Sequence, residues 1–241
     1  MTIPPLPDID LARIAPQSKE RKRKSLEQIR GGRPPFSYKP LRSCYDDIFN
    51  IQPDLDFGPA SPTPWTTIER ELNKRSTNIR ELESNRLVAR GLYDFATSGA
   101  VIGRKHEFFP LAMGVGWKVT LWQPMILAIN HQPHAIFIDP RRTHGLTREG
   151  RRFAFSMMHE RIRAADEDFA EIGLAIIRFD DPDGDRRAVR VYTDTDVGVD
   201  LYPIDELDRM VTSTFEIWRE VCGQRERETR SKATGTGLLG I

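Results

Sequence analysis

The stretch from Met125 to Arg142, MILAINHQPHAIFIDPRR, decides how this chain is read. Met125-Ile126-Leu127-Ala128-Ile129 is an aliphatic run. Asn130-His131-Gln132-Pro133 is a turn, and His134-Ala135-Ile136-Phe137-Ile138 is a second apolar run. Two such runs joined by a short polar connection predict a β-hairpin. The hairpin ends at Asp139-Pro140-Arg141. Beyond it Thr147 can cap a helix from Arg148 to about Ala165, with Glu149 in the first turn. Phe153, Ala154, Met157, Met158 and Ile162 give that helix a buried face. Arg148, Arg151, Arg152, Glu160, Arg161 and Arg163 populate the other.

The flanks extend the pattern. Upstream, Val119-Thr120-Leu121-Trp122 reads as strand, and a helix runs from about Asn78 to Thr97 before Ser98-Gly99 stops it. An earlier helix starts after Pro64-Trp65-Thr66, where Thr66 or Thr67 can cap it. Downstream, Leu174-Ala175-Ile176-Ile177 reads as a fully buried strand, Asp180 to Asp185 as a turn, and Ala188–Tyr192 as an edge strand. A last helix spans Ile204 to about Arg219. Gly114-Val115-Gly116 lacks the spacing of a phosphate loop and reads as a bulge or turn.

Residues 1–64 carry prolines throughout and read as an extended basic arm, with a short helix around Ser18–Ile29. Phe36, Tyr38, Tyr45, Ile48 and Phe49 can anchor it. The expected division is a Pro-rich arm over 1–64, an α/β domain over 65–220 and a polar flexible tail over 221–241.

The 241 residues suffice for one sizeable core. The apolar fraction is 39%, no apolar run approaches the ~20 residues of a membrane span, and the N-terminus lacks a secretory pattern. Two distant cysteines, Cys44 and Cys222, exclude a cysteine metal site, which leaves the cytoplasm as the expected compartment. Net charge is +1, but its distribution is uneven. Arg13 to Arg42 holds ten Lys/Arg against Glu20 and Glu27, whereas Asp166 to Asp208 is acidic. Such asymmetry is what a basic arm meeting an anionic partner shows, and equally what a solvated tail shows.

In chain order the elements are helix, strand, hairpin, helix, strand. This resembles the αβββαβ core of the PD-(D/E)XK, or restriction-endonuclease-like, superfamily, and most nearly its TnsA type of transposon end-cleaving nuclease. Glu83-Ser84 resembles the helix that contributes a Glu. Trp122-Gln123-Pro124-Met125-Ile126 resembles the aromatic-x-Pro-Asp-apolar segment. Ile138-Asp139-Pro140-Arg141 stands where apolar-Glu-x-Lys is found. The likeness covers about Asn78–Phe179.

The resemblance implies one or two Mg²⁺ ions held on carboxylate oxygens, with Glu83 and Asp139 as metal ligands and Glu83, Asp139 and Arg141 as the catalytic set. Met125 replaces the Pro-Asp acid, and a thioether is a poor ligand for a hard cation. Arg141 replaces the Lys and cannot act as a base. Two readings follow. A degenerate site needs no cofactor and leaves a DNA-binding or assembly subunit, in a transposition or other mobile-element complex. An atypical Mg²⁺-dependent DNA endonuclease would draw a third ligand from Glu107 or Gln123. The loss of both acid and lysine favours the first.

Blander readings stand beside these. Asp139 before Pro140 can cap a turn, Arg141 and Arg142 can pair with acids of the 166–185 segment, and Glu81 and Glu83 can be helix-surface residues. The nucleic-acid candidates are Lys19, Arg21, Lys22, Arg23, Lys24, Arg141, Arg142, Arg148, Arg151 and Arg152, since phosphate contacts give salt-sensitive affinity. The expected partners are DNA and other protein subunits, with no membrane. A protein-interaction module that never touches nucleic acid is the third reading, because arginine and aromatic residues also dominate protein interfaces.

Overall fold

The computed structural model describes residues 6–29, 37–51, 61–99, 101–114, 116–180, 187–198 and 200–235. Four helices come first: α1 (Asp8–Ile14), α2 (Lys19–Gln28), α3 (Lys39–Arg42) and α4 (Tyr45–Ile48). Then follow α5 (Trp65–Arg75), α6 (Ile79–Ser98), and strands β1 (Ile102–Lys105), β2 (Leu111–Met113), β3 (Trp117–Val119), β4 (Met125–Ile129) and β5 (Gln132–Ile138). The chain continues through α7 (Arg148–Met158), β6 (Gly173–Asp180), β7 (Ala188–Thr193) and α8 (Ile204–Gly235).

Five strands form one sheet in the order β1-β4-β5-β6-β7, and β2 and β3 form a separate ribbon. β4 and β5 are the expected hairpin, with Ile126 opposite Ala135 and Ile129 opposite Gln132. The turn is tighter than the four residues read from the sequence. Asn130 and His131 both take positive φ, 51° and 63°, and alone make the connection. Two consecutive left-handed residues match the right-handed twist of the strands, and Asn tolerates that region well. Pro133 is thereby drawn into β5, one residue before its parallel ladder to β6 begins at His134.

Side chains alternate between two cores, one on each face of the sheet. Ala135 and Phe137 of β5, with Leu174 and Ile176 of β6, point into the first. Ile136 and Ile138, with Ala175 and Ile177, point into the second. A strand buried on both faces shows a continuous apolar run, which is why both strands were legible. Helices α1, α2, α7 and α8 cover the first face through Leu11, Ile14, Leu26, Phe153 and Trp218. Helices α3 to α6 cover the second through Leu41, Ile48, Leu72 and Leu92.

Over the described residues 6–29 and 37–51, this arrangement corrects the extended arm expected over 1–64. α1 and α2 belong to one helical layer and α3 and α4 to the other. Prolines punctuate the segment without abolishing helices: Pro7 precedes α1, and Pro40 lies in the first turn of α3, where a missing N–H costs nothing. Residues 30–36, including Pro34, Pro35 and Phe36, lie outside the described residues, as do 181–186 of the expected acidic turn. α8 also outruns its expected end near Arg219: it continues to Gly235, and Val221 and Cys222 are buried. β1 was not read as a strand, because IGRK buries only Gly103 and offers no alternation.

α6 and β7 approach so closely at Gly91 that a Cβ there would collide with the carbonyl oxygen of Arg187. Gly91→Ala is therefore expected to destabilise the protein by about 1–3 kcal/mol, read as a lower urea midpoint. An unchanged midpoint would show that β7 can move away freely.

Candidate functional site

The residues singled out by the sequence converge on the loop that leaves β5. Asp139 has 0% exposure, and its backbone N–H continues the parallel ladder by donating to the Ile177 carbonyl at 2.9 Å. Its carboxylate accepts from the backbone N–H of Arg141 at 3.2 Å and of Leu146 at 2.8 Å. Arg178 Nε, on β6, stands 3.3 Å from Oδ2 as a charge partner, outside hydrogen-bonding geometry. Arg178 Nη1 instead donates to the Leu146 carbonyl at 3.1 Å. The carboxylate thus closes a turn from strand to helix, and the turn-capping reading of Asp139 matches this geometry. Gly145 fits the same knot, since a Cβ there would lie 2.8 Å from Asp139 Oδ2 and strike the Arg178 guanidinium.

Arg141 does not pair with residues 166–180, the described part of the 166–185 segment. It reaches Asp10 of α1, with Nη1 to Oδ1 at 2.6 Å and Nη2 to Oδ2 at 2.9 Å. Two parallel charge-assisted bonds of this kind are geometrically selective. Burial pushes the Asp10 carboxyl up, but the Arg141 hydrogen bond and charge outweigh it and hold the group below the ordinary carboxylate range. Tyr38 adds a second tie, donating its hydroxyl to the Pro140 carbonyl at 3.1 Å.

The position expected to hold the second acid is Met125, and that side chain is core, packed in the second apolar cluster. Glu83 is exposed on α6. Its neighbour Glu81 is the engaged carboxylate: Oε2 accepts from Thr77 N–H at 2.7 Å and Thr77 Oγ1 at 2.8 Å, and Oε1 from Ser37 N–H at 2.9 Å and Ser37 Oγ at 3.0 Å. The Thr77 and Ser37 backbone bonds hold its pKa down to about 2. Among the described residues no group of three or more His, Cys, Asp or Glu side chains could hold a metal ion.

The basic candidates divide. Lys22 is buried; its Nζ donates to Ser213 Oγ at 2.6 Å and reaches the Met210 carbonyl at 3.3 Å, and burial lowers its pKa to about 8. Arg23 pairs with Glu220. Arg152 donates to the Asp200 carbonyl at 2.6 Å and lies 3.7 Å over the Tyr202 ring. Arg151 lies 4.1 Å over Tyr192, which Arg190 of β7 also approaches at 4.9 Å. Burial and the neighbouring charges of Arg178, Arg190 and Arg148 lower the Arg151 pKa. Lys19, Arg21, Lys24, Arg142 and Arg148 are exposed. The sequence reading missed Asp10, Arg178 and Arg190. Each is an ordinary charged residue in its own segment, and only its partner gives it meaning.

Two comparisons bear on this surface. A family model described as the sliding clamp-binding bacterial toxin SocB matches residues 9–228. The DNA replication inhibitor toxin SocB of Caulobacter vibrioides (strain NA1000 / CB15N) is 38% identical over 232 residues, covering 95% of each chain. No solved structure matches the chain. Neither finding is of the PD-(D/E)XK or TnsA type. The resemblance to PD-(D/E)XK nucleases of the TnsA type is overturned as a family assignment, and with it the transposition and endonuclease readings.

Removing the Asp139 carboxylate would leave the half-buried Arg178 guanidinium without its charge partner and orphan the Leu146 N–H. Asp139→Ala is expected to cost about 1–3 kcal/mol. Adding Arg178→Met should then cost less than the sum of the single changes in urea unfolding; strict additivity would rule out the coupling. Glu81 has a depressed folded-state pKa, so its stabilisation is full above the ordinary value of 4.5 and is lost as pH falls towards about 2. Stability curves of wild type and Glu81→Gln should therefore converge across that window. Parallel curves would show that Glu81 titrates alike in both states.

Proposed function

The chain belongs to the SocB family of sliding clamp-binding bacterial toxins, and on that premise we propose that it is a replication-inhibiting toxin that acts by binding the DNA sliding clamp. The observation that carries this reading is identity of 38% extending over 95% of both chains, so the likeness is of the whole architecture and not of one motif. Of the readings taken from the sequence, the protein-interaction module is the one these findings back best.

The geometry supports a binding role. Asp139 and Arg141 are committed to holding β5, α7 and α1 together. The order α6, then β1, β4 and β5, then α7 and parallel β6, supports reading the core as restriction-endonuclease-like in arrangement. Such a likeness of fold carries no activity with it. No helix among the described residues is long and apolar enough to cross a membrane, and a partner engaged on replicating DNA supports a cytoplasmic location.

The test uses the full chain and the purified sliding clamp of the same bacterium. Association in the micromolar range or tighter, roughly −8 kcal/mol or better, is expected by calorimetry. Induced expression is expected to stop incorporation of labelled thymidine before it affects transcription. Absence of clamp binding together with undisturbed DNA synthesis would refute the proposal.

A further inference from the structure

The sequence presents Lys19 to Lys24 as one basic run, and the fold splits it. Lys22 and Arg23 are engaged with α8. Arg21 and Lys24 line a cleft of about 500 Å³ between the α1–α2 corner and the first turn of α7, together with Arg13, Gln17, Thr147 and Glu149. Gly150 allows these elements to approach, since a Cβ there would lie only 3.2 Å from the Ala12 carbonyl oxygen.

One wall of the cleft is ordered in advance. Gln17 Nε2 donates to the Arg13 carbonyl at 3.1 Å, and Ser25 Oγ donates to Gln17 Oε1 at 2.9 Å. Arg13 is only loosely held. Its Nη2 reaches Asp10 at 3.3 Å, but that carboxylate is already clamped by Arg141, and Arg13 Nε is buried with no hydrogen-bond partner among the described residues. Glu149 is the only acid among the described lining residues. Its Oε2 accepts from the Tyr202 hydroxyl at 2.8 Å and lies 3.9 Å from Arg152. Three cations therefore face a single carboxylate that is turned to other partners. α2 begins at the cleft, and the Ser18 side chain at its start makes no capping bond, so one positive helix end adds to the field.

We propose that this cleft binds phosphate groups of a nucleic-acid backbone. Guanidinium forks and an ammonium suit phosphate oxygens. Sites for small ligands are lined mostly by apolar and aromatic side chains. Here Pro16 is the only apolar residue among the described lining. A free nucleotide would find no wall for its base, whereas a backbone phosphate needs none. This inference does not rest on clamp binding.

The full chain would be titrated by fluorescence anisotropy against labelled duplex and single-stranded DNA of about 30 nucleotides, at about 50 and 200 mM salt. Binding that weakens steeply with salt is expected. Arg21→Glu/Lys24→Glu should lower affinity at least about tenfold and reduce the salt slope by about 2, one per phosphate contact. Arg70→Glu/Lys74→Glu makes the same charge change at exposed positions of α5, in the opposite helical layer, and should stay close to wild type. Both variants should keep the wild-type urea midpoint, which certifies their folding. Inorganic phosphate and ATP serve as competitors. The proposal falls if DNA does not bind at low salt, or if both charge reversals weaken binding equally. It also falls if ATP binds in an Arg21- and Lys24-dependent manner while DNA does not.

Discussion

A carboxylate with no exposed surface must find its solvation inside the protein. Asp139 finds it in two backbone N–H groups and one guanidinium. That requirement fixes more than one residue. The Arg141 and Leu146 amides are drawn to the same pair of oxygens, so the chain between them must double back. The turn brings Thr147 to the start of α7, where its side chain accepts from the Gly150 N–H at 3.1 Å. Arg178 enters because β6 runs parallel beside β5, with Ile138 opposite Ile177. Strand pairing, loop closure and helix initiation therefore share one buried negative charge.

From that loop the constraint spreads to the N-terminal segment. Arg141 takes Asp10, and Tyr38 takes the Pro140 carbonyl. Residues on either side of the undescribed stretch 30–36 are thus tied to adjacent positions of one loop, though they serve opposite helical layers. Glu81 fixes Ser37 to the start of α6, and Asn85 Oδ1 accepts from the Leu41 N–H at 3.0 Å. A buried ion pair is weak evidence for stability. Here the ties hold α1 and the residue before α3 to adjacent positions of one loop.

The same commitments redirect the functional reading. Asp139, Arg141 and Met125, which looked like parts of a worn nuclease site, are spent on architecture, while the whole-chain likeness is to a toxin family named for binding the sliding clamp. A fold does not carry its function with it. Met125, at the position read as a replaced acid, serves packing. The surviving exposed charges, not the buried ones, are where a partner can be met.

Much of the sheet and most helices were legible in the chain itself. Ile136 to Ile138 and Leu174 to Ile177 are apolar on both faces, Asn78 and Thr147 cap the helices they precede, and these signals act within a few residues. What was not legible acts across the chain. Asp10 and Arg141 are 131 residues apart, and Lys22 and Ser213 are 191 apart. No local pattern announces either pair, and prolines around α1 and α3 suggested an unstructured arm where helices in fact complete both cores. The sequence alone settles where apolar periodicity can bury a strand or a helix face, because burial follows spacing. Which charges are buried, which remain exposed, and that Asp139 closes a loop are settled only by the tertiary structure, because an ion pair depends on distance in space and not along the chain.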